Sequence, residues 1–141
     1  MAEKIDFEQS AIIPYKIEDD ELKILLITSI RKKKWIIPKG FIEFNLSPFE
    51  SAKKEAFEEA GIIGTNETFE LGSFSIKKYG GLTKILVYSM EVENFKEDYP
   101  EKNLRKRKWF SPKDAIETVT VPEVGELIKV LQDKIKIYQS K

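Results

Sequence analysis

Three glutamates lie within one turn of a predicted helix and are the residues of this chain best suited to chemistry. Glu55, Glu58 and Glu59 stand at positions i, i+3 and i+4, so on a helix Glu55 lies beside both others. Like charges at this spacing destabilise a helix unless a cation lies among them. Mg²⁺ takes carboxylate, water and phosphate oxygens, so the spacing is compatible with a metal site. It equally fits a solvated helix face on which Lys53 and Lys54 pair with the glutamates.

A glycine turn stands shortly before these glutamates. The sequence WIIPKG, residues 35–40, predicts a short apolar strand that is stopped by Pro38 and Gly40. Glycine at this place lets the backbone approach a ligand closely. Lys39 is placed to meet a phosphate as a point charge. A strand, a glycine loop and an acidic helix together could hold a metal-bridged pyrophosphate.

Basic residues are concentrated in three segments without an acid, which are residues 31–39, 71–90 and 102–108. Each segment alone is compatible with a solvated surface or a hairpin tip, whereas three segments that converge would bind a polyanion. Nucleic acid matches poorly, because the chain has no net charge and no nucleic-acid-binding motif. A compact polyphosphate beside a metal fits better, since the acidic helix would otherwise repel it.

The composition excludes several classes of chemistry. The chain has 141 residues, of which 24 are Lys or Arg, 24 are Asp or Glu, and none is His or Cys. We expect a single domain over residues 1–141, with loose ends at 1–8 and 137–141. Disulfides, thiolate zinc sites, imidazole bases and Ser-His-Asp triads are excluded. Acid–base and metal chemistry must therefore depend on carboxylates, lysines, tyrosines and hydroxyls.

Nothing in the sequence predicts a membrane segment. The longest aliphatic run, residues 24–27, is far shorter than the roughly 20 residues that a spanning helix needs. The first ten residues, MAEKIDFEQS, lack the apolar region of a signal peptide. We therefore expect a cytoplasmic protein that binds a small molecule, with no membrane partner.

The helix that carries the glutamates has clear boundaries in the sequence. Ser47 and Glu50 form a capping box around Pro48 at the first helical position, and Gly61 is suited to ending the helix. Strands are predicted at 11–17, 22–28, 69–78, 82–92 and 105–110. A short helix is predicted from Ser111, and an amphipathic C-terminal helix from apolar positions 124, 127, 128, 131 and 135. Mixed strands and helices predict a sheet covered by helices.

The glycine and the acidic helix together resemble the Nudix box, G-x5-E-x7-R-E-U-x-E-E-x-G-U, in which U is apolar. Seven of its nine specified positions match at the right spacing, namely Gly40, Glu55, Ala56, Glu58, Glu59, Gly61 and Ile62. The flanking sequences WIIPKG and RKRKWFSPKDA resemble most the diphosphoinositol polyphosphate phosphohydrolase branch, which also contains diadenosine polyphosphate hydrolases. The resemblance covers residues 11–117.

The resemblance implies an α/β fold, an α/β/α sandwich with a mixed central sheet, and hydrolysis of a phosphoanhydride that depends on Mg²⁺ or Mn²⁺. By position, the metal ligands would be Glu55, Glu59 and the carbonyl of Gly40. Glu58 matches the glutamate often assigned as the base that deprotonates the attacking water. Substrate phosphates would contact Arg31, Lys39 and Arg107.

Two positions depart from the box. Leu46 stands where the first glutamate is usual, and Lys54 where an arginine normally holds the carboxylate equivalent to Glu55. Lysine keeps the charge but lacks the planar fork of arginine, so Glu55 would be held less firmly. We expect less precise positioning of Glu55 rather than loss of activity, because the three glutamates remain.

The expected substrate is a dinucleoside polyphosphate or a diphosphoinositol-polyphosphate-like molecule. Hydrolysis of ADP-ribose or of nucleoside triphosphates is the alternative within the enzyme class, and a weakly active nucleotide-binding sensor is the alternative outside it. Trp35 and Trp109 are expected at the edge of the core rather than stacked on a base, and Tyr79 in a turn. Candidates for an extra metal ligand outside the box are Glu91, Glu93, Glu97 and Glu101. Monomer and homodimer both stay open.

Overall fold

The computed structural model describes residues 4–64 and 67–139 of the chain. Nine strands and three helices follow one another in this part of the chain, and the order is β1 Phe7–Glu18, β2 Glu21–Thr28, β3 Trp35–Ile36, β4 Lys39–Phe41, α1 Pro48–Ala60, β5 Ile62–Ile63, β6 Glu67–Lys78, β7 Gly81–Glu91, β8 Asn94–Phe95, β9 Arg107–Phe110, α2 Pro112–Thr118 and α3 Pro122–Gln139.

The main sheet is mixed and centres on β1. Its strands run in the order β3-β2-β1-β7-β6, with β4 paired to β1 and β9 paired to β2. β1 and β7 are parallel, and the other neighbours are antiparallel. β5 and β8 form a separate two-stranded sheet. The predicted hairpin is therefore confirmed as β6–β7, which turns at Tyr79 and Gly80.

Alternation along the strands gives the sheet two apolar faces. Ile12, Leu25 and Ile27 are fully buried against α1. Their neighbours in sequence face the other way and pack against α2 and α3, and they include Ala11, Ile13, Ile24 and Leu26. Each face is covered by helix, so the predicted α/β/α sandwich is confirmed.

The helix α1 begins and ends as the sequence predicts. Ser47 Oγ accepts a hydrogen bond from the backbone N–H of Glu50 at 3.1 Å, with Pro48 at the start of the helix. Gly61 ends it in the left-handed conformation at φ 68°. Ala52, Ala56 and Ala60 are fully buried, so α1 lies close to the sheet and its glutamates project from the flank of the contact.

Regular elements extend into both segments that were expected to be loose, residues 1–8 and 137–141. β1 already begins at Phe7, and Asp6 Oδ2 accepts a hydrogen bond from Leu82 N at 2.8 Å, because the parallel partner β7 extends beside residues 7–15. α3 continues to Gln139, while residues 140–141 and 1–3 lie outside the described residues. No helix in the described ranges is long and apolar enough to cross a membrane.

Candidate active site

A cleft of about 790 Å³ opens where β4 and the flank of α1 meet the tip of the β6–β7 hairpin. Its lining combines acids, bases and two aromatic rings. The polar and charged lining residues are Gln9, Ser29, Arg31, Lys39, Glu43, Glu55, Glu59, Lys78 and Arg105. The cleft therefore places carboxylates and cations around one space large enough for a nucleotide-sized ligand.

Gly40 and Glu55 are packed so closely that a side chain at residue 40 would displace the Glu55 carboxylate. A Cβ built on Gly40 would lie 2.5 Å from the carboxyl carbon of Glu55 and 2.7 Å from its Oε1. The Glu55 carboxylate therefore lies directly against the backbone of β4. This arrangement places a carboxylate and the Gly40 peptide next to each other.

Glu59 is a buried acid with few partners to stabilise its charge. It is 7% exposed, its Oε1 accepts a hydrogen bond from Lys39 N at 3.2 Å, and its Oε2 lies 3.8 Å from Arg105 Nη2. Burial raises the pKa of Glu59 to about 8, against a lowering by Arg105 and a further raising by the adjacent Glu55 carboxylate. Burial also raises the pKa of Glu55, and the charges of Glu58, Glu101 and Glu43 raise it further.

Arg105 is the residue that links the two sides of this acidic cluster. Its Nε donates to Glu101 Oε1 at 3.0 Å and its Nη1 donates to the carbonyl of Thr28 at 3.2 Å. The side chain is only 11% exposed. Arg105 is therefore held in one position between Glu59, Glu101 and the end of β2.

One or more cations from each of the three basic segments reach the cleft. Arg31 and Lys39 come from the first segment, Lys78 from the second and Arg105 from the third. Burial, with the Lys78 charge, lowers the pKa of Lys39 to about 8, although Glu59 opposes the shift. The pKa of Lys39 is thus lowered by a neighbouring cation, and added negative charge, as phosphates would supply, would favour its charged form.

The structure does not bring Arg107 to the cleft. Arg107 Nη1 donates to the carbonyl of Ala60 at 2.9 Å, and its guanidinium lies 3.5 Å from the Phe95 ring centroid and 4.7 Å from that of Tyr99. It stabilises the C-terminal end of α1 instead. Arg105, two residues earlier, occupies the position at the cleft that the sequence led us to assign to Arg107.

Glu58 and the two departures from the box also have defined places. Glu58 is half-buried, close enough to raise the pKa of Glu55, but it is not among the described residues that line the cleft. Lys54 Nζ lies 3.0 Å from both carboxylate oxygens of Glu43, so it pairs with Glu43. Leu46 lies on a different surface groove with Glu50 and Phe57.

The donor set fits a hard divalent cation. Glu55 and Glu59 are adjacent carboxylates whose pKa values are raised, and the Gly40 backbone lies against one of them. No group of three metal-binding side chains is assembled within residues 4–64 and 67–139. Mg²⁺ usually takes one or two carboxylates and completes its shell with water and phosphate oxygens, so two carboxylates and a carbonyl are adequate.

Comparison with known proteins identifies the family of this chain. The model of the NUDIX domain matches residues 8–131. The chain belongs to the Nudix family. It is 30% identical to Nudix hydrolase 18, mitochondrial, of Arabidopsis thaliana, over 92% of this chain and 78% of that protein. It is also 30% identical to diphosphoinositol polyphosphate phosphohydrolase 3-beta of Bos taurus, over 79% of this chain and 68% of that protein.

The fold of this Nudix domain is shared with solved structures at low identity. The C. elegans Ap4A hydrolase in a binary complex superposes with a TM-score of 0.74 and 19% identity, over 92% of this chain and 98% of that chain. The Nudix domain and the named Nudix hydrolases among its relatives support a pyrophosphohydrolase.

Several cleft residues of this Nudix protein were missed or left undecided in the sequence. Arg105 lies in the same basic run as Arg107. On a strand that begins at Arg105, as the sequence predicts, both arginine side chains would lie on the same face. Gln9 and Phe41 carried no motif, and their position follows from the pairing of β4 with the start of β1. Both tryptophans lie half-buried at the core edge, as expected, and outside the described cleft lining.

Proposed function

We propose that this Nudix protein hydrolyses a phosphoanhydride bond in a dinucleoside polyphosphate or a diphosphoinositol polyphosphate, and that it requires Mg²⁺ or Mn²⁺. One observation carries the proposal: the cleft joins the Glu55–Glu59 carboxylates to Arg31, Lys39, Lys78 and Arg105. Three basic segments contribute cations to this cleft, and together they supply more positive charge than a single diphosphate needs. The Ap4A and diphosphoinositol names among the similar proteins support the same substrate classes.

Each group in the cleft has a chemical role in this proposal. Glu55, Glu59 and the Gly40 carbonyl would hold the metal, which when bound lowers the pKa of a water and offsets phosphate charge. Lys39, Lys78 and Arg31 would contact phosphate oxygens and stabilise the charge that grows on the leaving group. Arg105 would keep Glu59 oriented. Glu58 as the base, and a cytoplasmic location, stay predictions.

The test is phosphate and nucleotide release from a substrate panel, with Mg²⁺ or Mn²⁺ present. The panel contains diadenosine tetra-, penta- and hexaphosphate, diphosphoinositol phosphates, ADP-ribose and nucleoside triphosphates. Glu59→Gln is the test variant and Glu126→Gln the matched control, because Glu126 is exposed on α3 and bonds only to Lys129 among the described contacts.

Turnover of the long polyphosphates that is lost with EDTA and in Glu59→Gln, but kept in Glu126→Gln, would support the proposal. A preference for ADP-ribose or nucleoside triphosphates would move the substrate assignment to the alternative class. Metal-dependent binding without turnover of any compound would contradict hydrolysis and indicate a sensor. Turnover that persists in EDTA would contradict the metal assignment.

A further inference from the structure

Three aromatic side chains form a cluster at the cleft, and two of them are left half exposed. Phe7, Phe41 and Tyr79 are in mutual contact, with ring centroids 6.3 Å apart for Phe7–Phe41, 5.9 Å for Phe7–Tyr79 and 5.1 Å for Phe41–Tyr79. Phe41 is 46% exposed and Tyr79 is 48% exposed, and both line the cleft. Grouped exposed rings beside a polar site indicate a surface that a ligand covers.

The positions of these two rings are fixed by the fold. Phe41 is the register partner of Gln9 in the β1–β4 pair, and it directly follows the glycine that lies against Glu55. Tyr79 adopts φ 58° in the hairpin turn, a conformation that is costly for a bulky residue. Its hydroxyl accepts a hydrogen bond from Gln9 Nε2 at 3.3 Å. The rings are therefore held ready before any ligand binds.

The same hydrogen-bond network connects the rings to the phosphate-binding side of the cleft. Gln9 is 2% exposed, and its Oε1 accepts a hydrogen bond from Lys39 Nζ at 3.0 Å. Lys78 Nζ lies 5.1 Å from the Tyr79 ring centroid. Two cations thus flank the aromatic cluster, one through Gln9 and one directly.

Exposed aromatic rings next to cations match a nucleoside polyphosphate. Its base offers a π-face for stacking, and its phosphates are attached to the same molecule a few ångströms away. An inositol polyphosphate presents charged groups around its ring and has no π-face. Exposed aromatic rings would therefore add little to its affinity. The ring pair therefore discriminates between the two substrate classes named above.

We propose that Phe41 and Tyr79 form a nucleobase subsite, so that the polyphosphate substrate of this cleft carries at least one nucleoside. This inference rests on the proposed function, and it narrows that function to the dinucleoside polyphosphate class. It also assigns a role to Phe41, which no motif in the sequence marks.

The test compares a ligand with a base and a ligand without one. Titration calorimetry in EDTA, where the metal is removed, measures the affinity of ATP and of inorganic tripolyphosphate for wild type and for Phe41→Leu. The matched control is Phe44→Leu, because Phe44 is 106% exposed, is three residues away and does not line the cleft. We expect Phe41→Leu to lower the affinity for ATP about tenfold, as loss of one stacked base does, and to leave the affinity for tripolyphosphate unchanged. Phe44→Leu should change neither affinity.

A second pair of variants covers the case in which Phe41→Leu fails to fold. Tyr79→Phe keeps the ring and should keep the affinity for ATP within about twofold. Tyr79→Leu should lower the affinity for ATP and leave the affinity for tripolyphosphate unchanged. Circular dichroism melts show which variants are folded. With Mg²⁺, loss of stacking should raise the KM for diadenosine tetraphosphate more than it lowers kcat.

The outcomes separate this inference from the function it rests on. Equal weakening of ATP and tripolyphosphate, or no weakening of either, would overturn the nucleobase subsite and leave the hydrolase proposal standing. If wild type binds neither ligand in EDTA, the KM comparison with Mg²⁺ decides, and an unchanged KM for diadenosine tetraphosphate in Phe41→Leu overturns the nucleobase subsite. If wild type also turns over no polyphosphate with Mg²⁺, both proposals are overturned. Faster turnover of diphosphoinositol phosphates than of diadenosine tetraphosphate would overturn the nucleobase subsite alone.

Discussion

The two faces of the central sheet are built from similar aliphatic residues but differ in what lies at their margins. The face under α2 and α3 buries a continuous apolar cluster that includes Ile13, Leu26 and Ile128. The face under α1 ends in the cleft, and Glu59 is the only charged residue fully buried among the side chains that the structure describes. Burying a charge costs free energy unless it is paired, so one face serves stability and the other carries the site.

The largest effect should come from removing the buried charge of the α1 face. We expect Glu59→Gln to lower kcat/KM by at least about 100-fold, since even outer-shell partners of a metal cost up to that factor. Glutamine keeps the shape and is always neutral, so folding no longer costs the free energy of protonating or burying the Glu59 carboxylate, and the melting temperature of the metal-free protein should stay equal or rise. Kinetics and thermal melts together check this, and a variant that is both destabilised and inactive would contradict the division between the faces.

On the opposite face, the expected effect is on folding alone. Ile128→Ala in α3 removes a fully buried side chain and should lower the free energy of unfolding by about 2–5 kcal/mol. Activity per folded molecule should change little, because Ile128 belongs to the α2–α3 cluster. Urea denaturation and active-fraction titration measure the two quantities. A large fall in kcat of the folded fraction would show that the faces are coupled.

The two arginines near β9 allow a finer comparison. Arg105→Lys loses the simultaneous contacts with Glu59, Glu101 and Thr28, and should lower kcat/KM by about 10- to 100-fold. Arg107→Lys disturbs only the end of α1 and its ring contacts, so it should lower stability while kcat/KM is largely kept. The reverse ranking would reassign the phosphate-side arginine to Arg107.

Metal binding should release protons from the α1 face. Because the pKa of Glu59 is about 8 in the metal-free protein, this group is mostly protonated at pH 7, and Mg²⁺ should displace close to one proton. Calorimetry in buffers of different ionisation enthalpy measures this release, which should shrink by pH 9.5.

The same carboxyl should make the stability of the metal-free protein depend on pH. Glu59 holds its proton in the folded state up to a pKa of about 8, whereas in the unfolded state it loses the proton near the usual pKa of 4.5. The free energy of unfolding should therefore fall as pH rises from 4.5 to 8, and urea denaturation at several pH values measures it.

The smallest effect is expected at a position where the sequence departs from the family pattern. Lys54 is an exposed residue paired with Glu43, so Lys54→Arg should change kcat/KM only slightly. Paired measurements on Lys54→Arg and on Lys53→Arg, its neighbour on the helix, give the comparison. A clearly faster Lys54→Arg enzyme would show that Glu55 is poorly held in the natural chain.

Local spacing by itself determined much of the fold and part of the site. The cap at Ser47 and the end at Gly61 follow from the capping residues, and the proximity of Glu55 to Glu59 follows from helix periodicity. The mixed order of strands and helices likewise predicted a sheet covered by helices. These features depend on residues a few positions apart, and backbone geometry fixes such distances.

Only the tertiary structure decided which distant side chains meet in the cleft. Arg105 rather than Arg107 reaches Glu59 because β9 starts at Arg107, so strand alternation does not extend to Arg105. Phe41 meets Tyr79, and Lys54 meets Glu43, through strand pairing and loop packing that no local pattern encodes. Contacts between residues far apart in sequence depend on the register and ends of every element between them, and those are settled when the whole core packs.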